Sequence, residues 1–153
     1  MTPDARLGHM DRALALAGEA ATRGEVPVGA VIVAPDGRVV AMASNRTREL
    51  GDPTAHAELL AIRAACAALG AERLTGSDLY VTLEPCPMCA AAISFARIRR
   101  LYYGASDPKS GGVEAGPRVF AHATCHHAPE VYAGIGEREA SALLKTFFAA
   151  RRE

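Results

Sequence analysis

Three side chains of the kind zinc prefers stand in two short segments, and a chain that uses them together must fold those segments onto each other. The first segment is Asp52-Pro53-Thr54-Ala55-His56-Ala57-Glu58; the second, after a 26-residue gap, is Pro85-Cys86-Pro87-Met88-Cys89. One imidazole and two thiolates make three ligands, which leaves a fourth position open for water. An open position implies chemistry and not scaffolding. Residues three apart share a helix face, so Cys86 and Cys89 can chelate one ion if a helix begins near Pro87, a residue suited to a first helical turn. Amides and the positive end of the dipole at that terminus favour both thiolates. His56 and Glu58 are two apart, about 200° around a helix, and so are poorly placed to grip one ion together. Glu58 is better suited to reach a water on the metal.

Those roles describe a hydrolytic centre. Zinc lowers the pKa of a bound water from about 15.7 to about 7, and Glu58 is the expected proton acceptor. Histidine-x-glutamate joined to proline-cysteine-x-x-cysteine is the signature of zinc-dependent nucleobase deaminases, whose glutamate is the acid and base and not a ligand. The expected reaction is hydrolytic deamination at C6 of adenine or C4 of cytosine with release of ammonia. One carboxylate can protonate first the ring nitrogen and then the departing amine.

A chain of 153 residues is expected to form one domain, residues 1–153, around one core. Hydrophobic residues make up 50% of it, with 14 Gly and 9 Pro, a composition that argues for compact folding and against disorder. Asp4, Arg6, Asp11 and Arg12 precede any apolar run of signal-peptide length, and no stretch approaches 18 apolar residues. The simplest expectation is a cytoplasmic protein with no membrane partner. Four cysteines, two of them in C-x-x-C beside a histidine motif, point to metal and not to disulfides. Seventeen basic residues balance 17 acidic ones, which weighs against sequence-independent binding of nucleic acid. Basic residues do cluster at Arg46 and Arg48, at Arg97, Arg99 and Arg100, and at Arg151 and Arg152, although most such surface charge is simply solvated.

Along the chain, Leu7, Met10, Leu14, Ala17 and Ala21 share the apolar face of a first helix, with Pro3 in its first turn. Val28 to Val33 and Val39 to Ala43 read as strands of a hairpin turned at Pro35-Asp36-Gly37. A loop from Ser44 to Pro53 follows. A second helix begins near Thr54 or Ala55 and ends at Gly70, with Leu59, Ile62, Cys66 and Leu69 facing the core. Leu79 to Leu83 and Leu101 to Gly104 read as strands around a helix from Met88 to about Ala96, a parallel crossover. Ligands bind beyond the C-terminal ends of such strands, where Glu84, Pro85 and Cys86 fall. The stretch from Ala105 to Gly134 has no clear pattern, and a last helix runs from Glu137 to Arg152 with Leu143, Leu144, Phe147 and Phe148 on its apolar side.

Beyond the zinc motif, the chain resembles the bacterial tRNA-specific adenosine deaminases of the cytidine-deaminase-like superfamily. The resemblance runs through Glu25-Val26-Pro27-Val28-Gly29-Ala30-Val31, Asn45-Arg46, Asp52 to Glu58, Leu79 to Cys86, Met88-Cys89-Ala90, Tyr103-Gly104-Ala105, Asp107-Pro108-Lys109 and Phe147-Phe148. It implies a three-layer α/β/α fold with a five-stranded mixed sheet, and hydrolysis of the wobble adenosine of a tRNA, typically an arginine tRNA, to inosine. It implies one zinc ion per subunit on His56, Cys86 and Cys89, with Glu58 as proton shuttle. Asn45 matches a contact to the flipped base, Val28 a pocket wall, and Asp107 a loop residue near the ribose and backbone. Ala57 and Pro85, inside the matched motifs, are carried over as substrate contacts; Lys109 and the final-helix arginines would face phosphates. The partners implied are a tRNA anticodon stem-loop and a second copy of the chain in a homodimer, with DNA not a natural substrate. Ser110 to Gly116 and Thr124-Cys125-His126-His127 depart from the family pattern.

Other readings of the same residues have distinct requirements. A purely structural zinc site needs a fourth ligand, for which Cys125, His126 or His127 are candidates, and it leaves Glu58 unexplained. A redox C-x-x-C leaves the whole His56-Ala57-Glu58 motif unexplained. A deaminase of a free base or nucleoside needs a pocket that closes, with the C-terminal segment as a cover. A non-catalytic zinc-bound RNA or protein adaptor needs a closed metal. Cys66 reads as a core residue, and a second metal at Cys125-His126-His127 is disfavoured because adjacent residues chelate one ion poorly.

Overall fold

The computed structural model describes residues 3–151, with side chains from Gly8 to Arg151. Expectations for Pro3, for Leu7 on the first helix face and for Arg152 lie outside those side chains. The elements in order are α1 (Pro3–Thr22), β1 (Gly29–Val33), β2 (Val39–Ser44), α2 (Thr47–Leu50), α3 (Ala57–Leu69), β3 (Asp78–Leu83), α4 (Pro87–Ala96), β4 (Arg100–Ala105), a 3-10 turn (Val119–Ala121), β5 (Glu130–Tyr132) and α5 (Glu137–Ala150). The sheet order is β2-β1-β3-β4-β5. β1 is antiparallel to β2 and β3, while β4 runs parallel to β3 and to β5, so the sheet is mixed as expected.

Alternation along the strands divides the interior into two cores. Ala30, Ile32, Leu79, Val81, Leu101 and Tyr103 face the side covered by α3 and α4. Val31, Val33, Tyr80 and Tyr102 face the side of α1, and α5 packs beside α1 over β4. Helices on both faces give the three-layer arrangement. Tyr80, Tyr102 and Tyr132 stack in a row across β3, β4 and β5, with centroids 4.5 and 5.0 Å apart. Among the described residues no helix is long and apolar enough to cross a membrane.

The helix faces agree with the sequence expectation at Met10, Ala17 and Ile62 but are shifted at other positions. In α1 the buried line is Met10, Ala13, Ala17 and Ala20, not a line through Ala21. The cause is a close approach: a methyl group on Gly29 would overlap the Ala13 carbonyl oxygen, so α1 meets β1 backbone to backbone and only small residues fit between. In α3 the fully buried residues include Ala57, Ala61 and Ala65, with Ile62 beside them, whereas Leu69 is 41% exposed. Leu59 is half-buried, and Cys66, also half-buried, packs against the core as expected. Tight helix-to-sheet packing again selects alanine over leucine. The expected loop from Ser44 to Pro53 contains the short α2, and Glu130–Tyr132 supplies the fifth strand within the stretch that had no pattern.

Each of the three basic clusters has a member with a partner within the fold. Arg99 makes a two-pronged contact with the buried Asp78 at 3.1 Å for each nitrogen, and Arg100 lies 3.4 Å from Glu130. Arg46 pairs with Glu49 at 2.9 Å, and Arg48 donates to the Gly24 carbonyl. Arg151 lies over the Phe147 ring, 3.7 Å from its centre. Phe147 is buried and Phe148 exposed, so one of the two packs inward as helical spacing requires.

Candidate active site

Two helix N-termini converge on the site. α3 begins at Ala57, later than the sequence suggested, because Asp52 accepts the Thr54 amide and hydroxyl at 2.8 and 2.7 Å and holds Thr54 in a turn. His56 therefore occupies the N-cap position in extended conformation: its carbonyl accepts the Leu60 amide at 3.0 Å, while its side chain makes no capping hydrogen bond. α4 begins at Pro87, where the spacing placed it; Cys86 is its N-cap and Cys89 lies in its first turn. The His56 Nδ1 atom lies 3.6 Å from the Cys86 sulfur and 3.5 Å from the Cys89 sulfur. Among the described residues these three form the one group of metal-binding type, their donor atoms all within 4.8 Å of one another.

The donor set fits zinc. Tetrahedral coordination with Zn–N near 2.0–2.1 Å and Zn–S near 2.3 Å requires N···S separations of about 3.5 Å, which is the spacing here. The charges agree with the geometry. Hydrogen bonds from the Cys89 thiol and the His56 imidazole draw the Cys86 thiol well below its ordinary range. Cys89 is pushed up, first by its contact with Cys86 and then by burial. The pair thus holds one negative charge readily, and a dication is what makes the second acceptable. Cys125, His126 and His127 do not join as a fourth ligand: Cys125 donates to the His127 carbonyl, and the His127 ring meets the Ile98 carbonyl at 2.7 Å.

Glu58, in the first turn of α3, is 4% exposed and hydrogen-bonded to Cys89. Burial pushes its carboxyl up to about 7, the range in which an acid gives and takes protons at neutral pH. Around this centre, Val28, Asn45, Ala57 and Pro85 are buried, Asp107 is half-buried and Lys109 is exposed. The Asn45 amide donates to the Val28 carbonyl at 3.1 Å, and the Arg46 amide to Ala55 at 3.0 Å, which folds the Asn45 loop back beside His56. Asp107 uses Oδ1 to cap its own turn, accepting the amides of Lys109 and Ser110.

Two buried glutamates, present in the matched runs but given no role there, hold the loops flanking the site. Glu25 accepts the Arg48 and Glu49 amides at 3.2 and 2.7 Å and so anchors α2. Glu84, at the end of β3, accepts the amides of Asp107, Val113, Glu114 and Ala115 at 2.9 to 3.2 Å. Burial alone would raise the Glu84 carboxyl, but the four amides outweigh it and the net shift is downward. The one sequence signal was an acid placed directly after an apolar strand.

Fold and site together define a zinc-binding deaminase domain. A family model of the cytidine and deoxycytidylate deaminase zinc-binding region matches residues 4–105. The tRNA-specific adenosine deaminase of Agrobacterium fabrum is 63% identical over 147 residues, 96% of each chain. The chain belongs to this zinc-dependent family, in the branch of the tRNA-specific adenosine deaminases, and its cofactor is zinc. A solved structure from work on A-to-I editing by tRNA:A34 deaminases at the wobble position of transfer RNA has a TM-score of 0.88 at 65% identity, covering 90% of this chain and 99% of that one. The Bacillus subtilis guanine deaminase structure is more distant, with a TM-score of 0.64 at 32% identity over 100% of this chain and 96% of that one.

Proposed function

We propose that this chain, acting as one domain in the cytoplasm, hydrolyses the wobble adenosine of a tRNA, an arginine tRNA in the first instance, to inosine and ammonia. The observation that carries the reading is 63% identity to a tRNA-specific adenosine deaminase along essentially the whole of both chains. Site geometry supports it. α5 packs against α1 and β4, on the sheet face opposite α3 and α4, so through Arg151 it does not cover His56, Cys86 and Cys89. His56 and Cys86 remain half-exposed, as an extruded nucleotide requires.

His56, Cys86 and Cys89 would hold the zinc, which supplies the Lewis acidity that makes water a nucleophile at neutral pH. Glu58 accepts a proton from the attacking water and delivers it to the purine N1, then takes the proton of the new C6 hydroxyl and passes it to the departing amine as the C6 carbonyl forms. Its burial keeps it able to act in both directions. Val28 and Ala57 wall the base, Asn45 and Pro85 offer polar contacts to its edge, Asp107 meets the ribose, and Lys109 meets phosphate. A homodimer completes the assembly: Phe95 on α4 is 71% exposed, beside a cleft lined by Ala91, Ser94 and Val119, a surface suited to a second copy.

The test is product analysis with zinc-loaded protein and an anticodon stem-loop bearing a wobble adenosine, beside free adenosine, cytidine, cytosine and guanine. Inosine only in the stem-loop supports the proposal. Turnover of guanine alone would move the substrate to the second reading, which similarity to a guanine deaminase keeps in view.

A further inference from the structure

The segment from Asp107 to Ala115 has no regular secondary structure and few large apolar residues, yet it is held closely against the metal-binding end of the sheet. Apart from Val113, which enters the core, its attachment is polar. Glu84 is 2% exposed, and its Oε2 alone accepts three successive amides, those of Val113, Glu114 and Ala115, while Oε1 accepts that of Asp107. Consecutive amides that converge in this way form a concavity that ordinarily takes an anion; here the protein fills it with its own carboxylate. The Tyr103 hydroxyl donates to the Glu114 side chain and ties the segment a second time. The Gly112 amide donates to the Pro85 carbonyl at 2.8 Å, and a methyl group at Gly112 would press on the Pro87 nitrogen, so the segment lies directly on the backbone that carries Cys86.

We infer that Glu84 is a positioning residue for substrate: its buried carboxylate fixes the height and orientation of the Asp107–Lys109 turn over the mouth of the site. The inference rests on the reading of Asp107 and Lys109 as substrate contacts. A side chain at the C-terminal end of β3 thereby couples two things that must agree in space, the Pro85-Cys86 ligand segment that follows it and the loop that meets the nucleotide's backbone. Asp107 itself depends on the anchor, because its amide is spent on Glu84 while its carboxylate shapes the turn that carries Lys109.

Glu84→Gln tests this, since it keeps length and volume but offers one acceptor oxygen and turns an NH2 group toward amide hydrogens. With the anticodon stem-loop as substrate, we expect unchanged zinc content, kcat within about threefold of the parent, and KM raised about tenfold or more. Lys109→Ala should raise KM in the parent and add little in the Glu84→Gln background, the non-additivity expected of residues that act through one another. Full additivity, or loss of zinc or kcat with KM unchanged, overturns the inference. If Lys109→Ala and Asp107→Ala both leave KM unchanged in the parent, the substrate-contact reading fails and takes the inference with it, an outcome distinct from additivity. Should Glu84→Gln not fold, Gly111→Ala approaches the same contact from the loop side. Its methyl would stand 2.6 Å from Glu84 Oε2 and from the Asp107 carbonyl. In the same cycle with Lys109→Ala, non-additivity in KM again supports the inference and additivity overturns it.

Discussion

Removing the Glu58 carboxylate leaves His56, Cys86 and Cys89 in place, so metal binding and chemistry can be separated at one residue. Glu58→Ala is expected to retain one zinc per chain by metal analysis and to lose about 10²- to 10⁴-fold in inosine formation, the usual contribution of a positioned acid and base; parental turnover would reject the assignment. At Asp107 the distinction is finer. Its Oδ1 accepts two amides, a task that an asparagine carbonyl can also perform, so Asp107→Asn should keep the turn and remove only the charge. The ratio of activity on RNA to activity on a DNA stem-loop should then fall, and an unchanged ratio would show that Asp107 does not sense the 2′-hydroxyl.

At the scale of elements, the contact between α1 and β1 is the most demanding, because backbone meets backbone at Gly29 with Ala13 and Ala17 opposite. Gly29→Ala should destabilise the fold by at least about 1–3 kcal/mol, the ordinary cost of overpacking, read as a lower urea midpoint with little change in slope. Element boundaries were largely legible in the sequence. Pro87 marked the start of α4 through its preference for the first turn, and Gly70 marked the end of α3, where it stands at φ 61°. The phase of α1 and α3 was legible only in part, at Met10, Ala17 and Ile62, because a face made largely of alanine gives little contrast in hydrophobic periodicity. α2 and the conformation of the Asp107–Ala115 segment were not legible for another reason: each is held by a buried glutamate far away in sequence, and such a bond leaves no periodic trace.

The whole molecule gains stability from its metal through mass action, since the unfolded chain cannot hold His56, Cys86 and Cys89 together. Zinc at 100 times its dissociation constant should add about 2.7 kcal/mol, so a chelator should lower the thermal midpoint of the parent and leave a Cys86→Ala/Cys89→Ala variant nearly unmoved. Assembly is testable at the same scale. If the proposed homodimer forms through α4, the parent should have a dimer's mass in light scattering and Phe95→Glu, which places a charge on its exposed apolar face, a monomer's with secondary structure unchanged; a parent of monomer mass would reject the dimer, and a Phe95→Glu variant that stays dimeric would place its interface elsewhere.

Ligand type and ligand spacing could be read from the chain as written, because zinc chemistry demands particular donors at particular separations. The first four strands followed from short β-rich apolar runs and turn signals in the same way. Other features required the folded chain: the alanine faces, the fifth strand, the pairing of Arg99 with Asp78, and the two glutamates that hold the flanking loops. Each of these depends on distance between residues remote in sequence, and side-chain composition does not encode that distance until the sheet has brought them together.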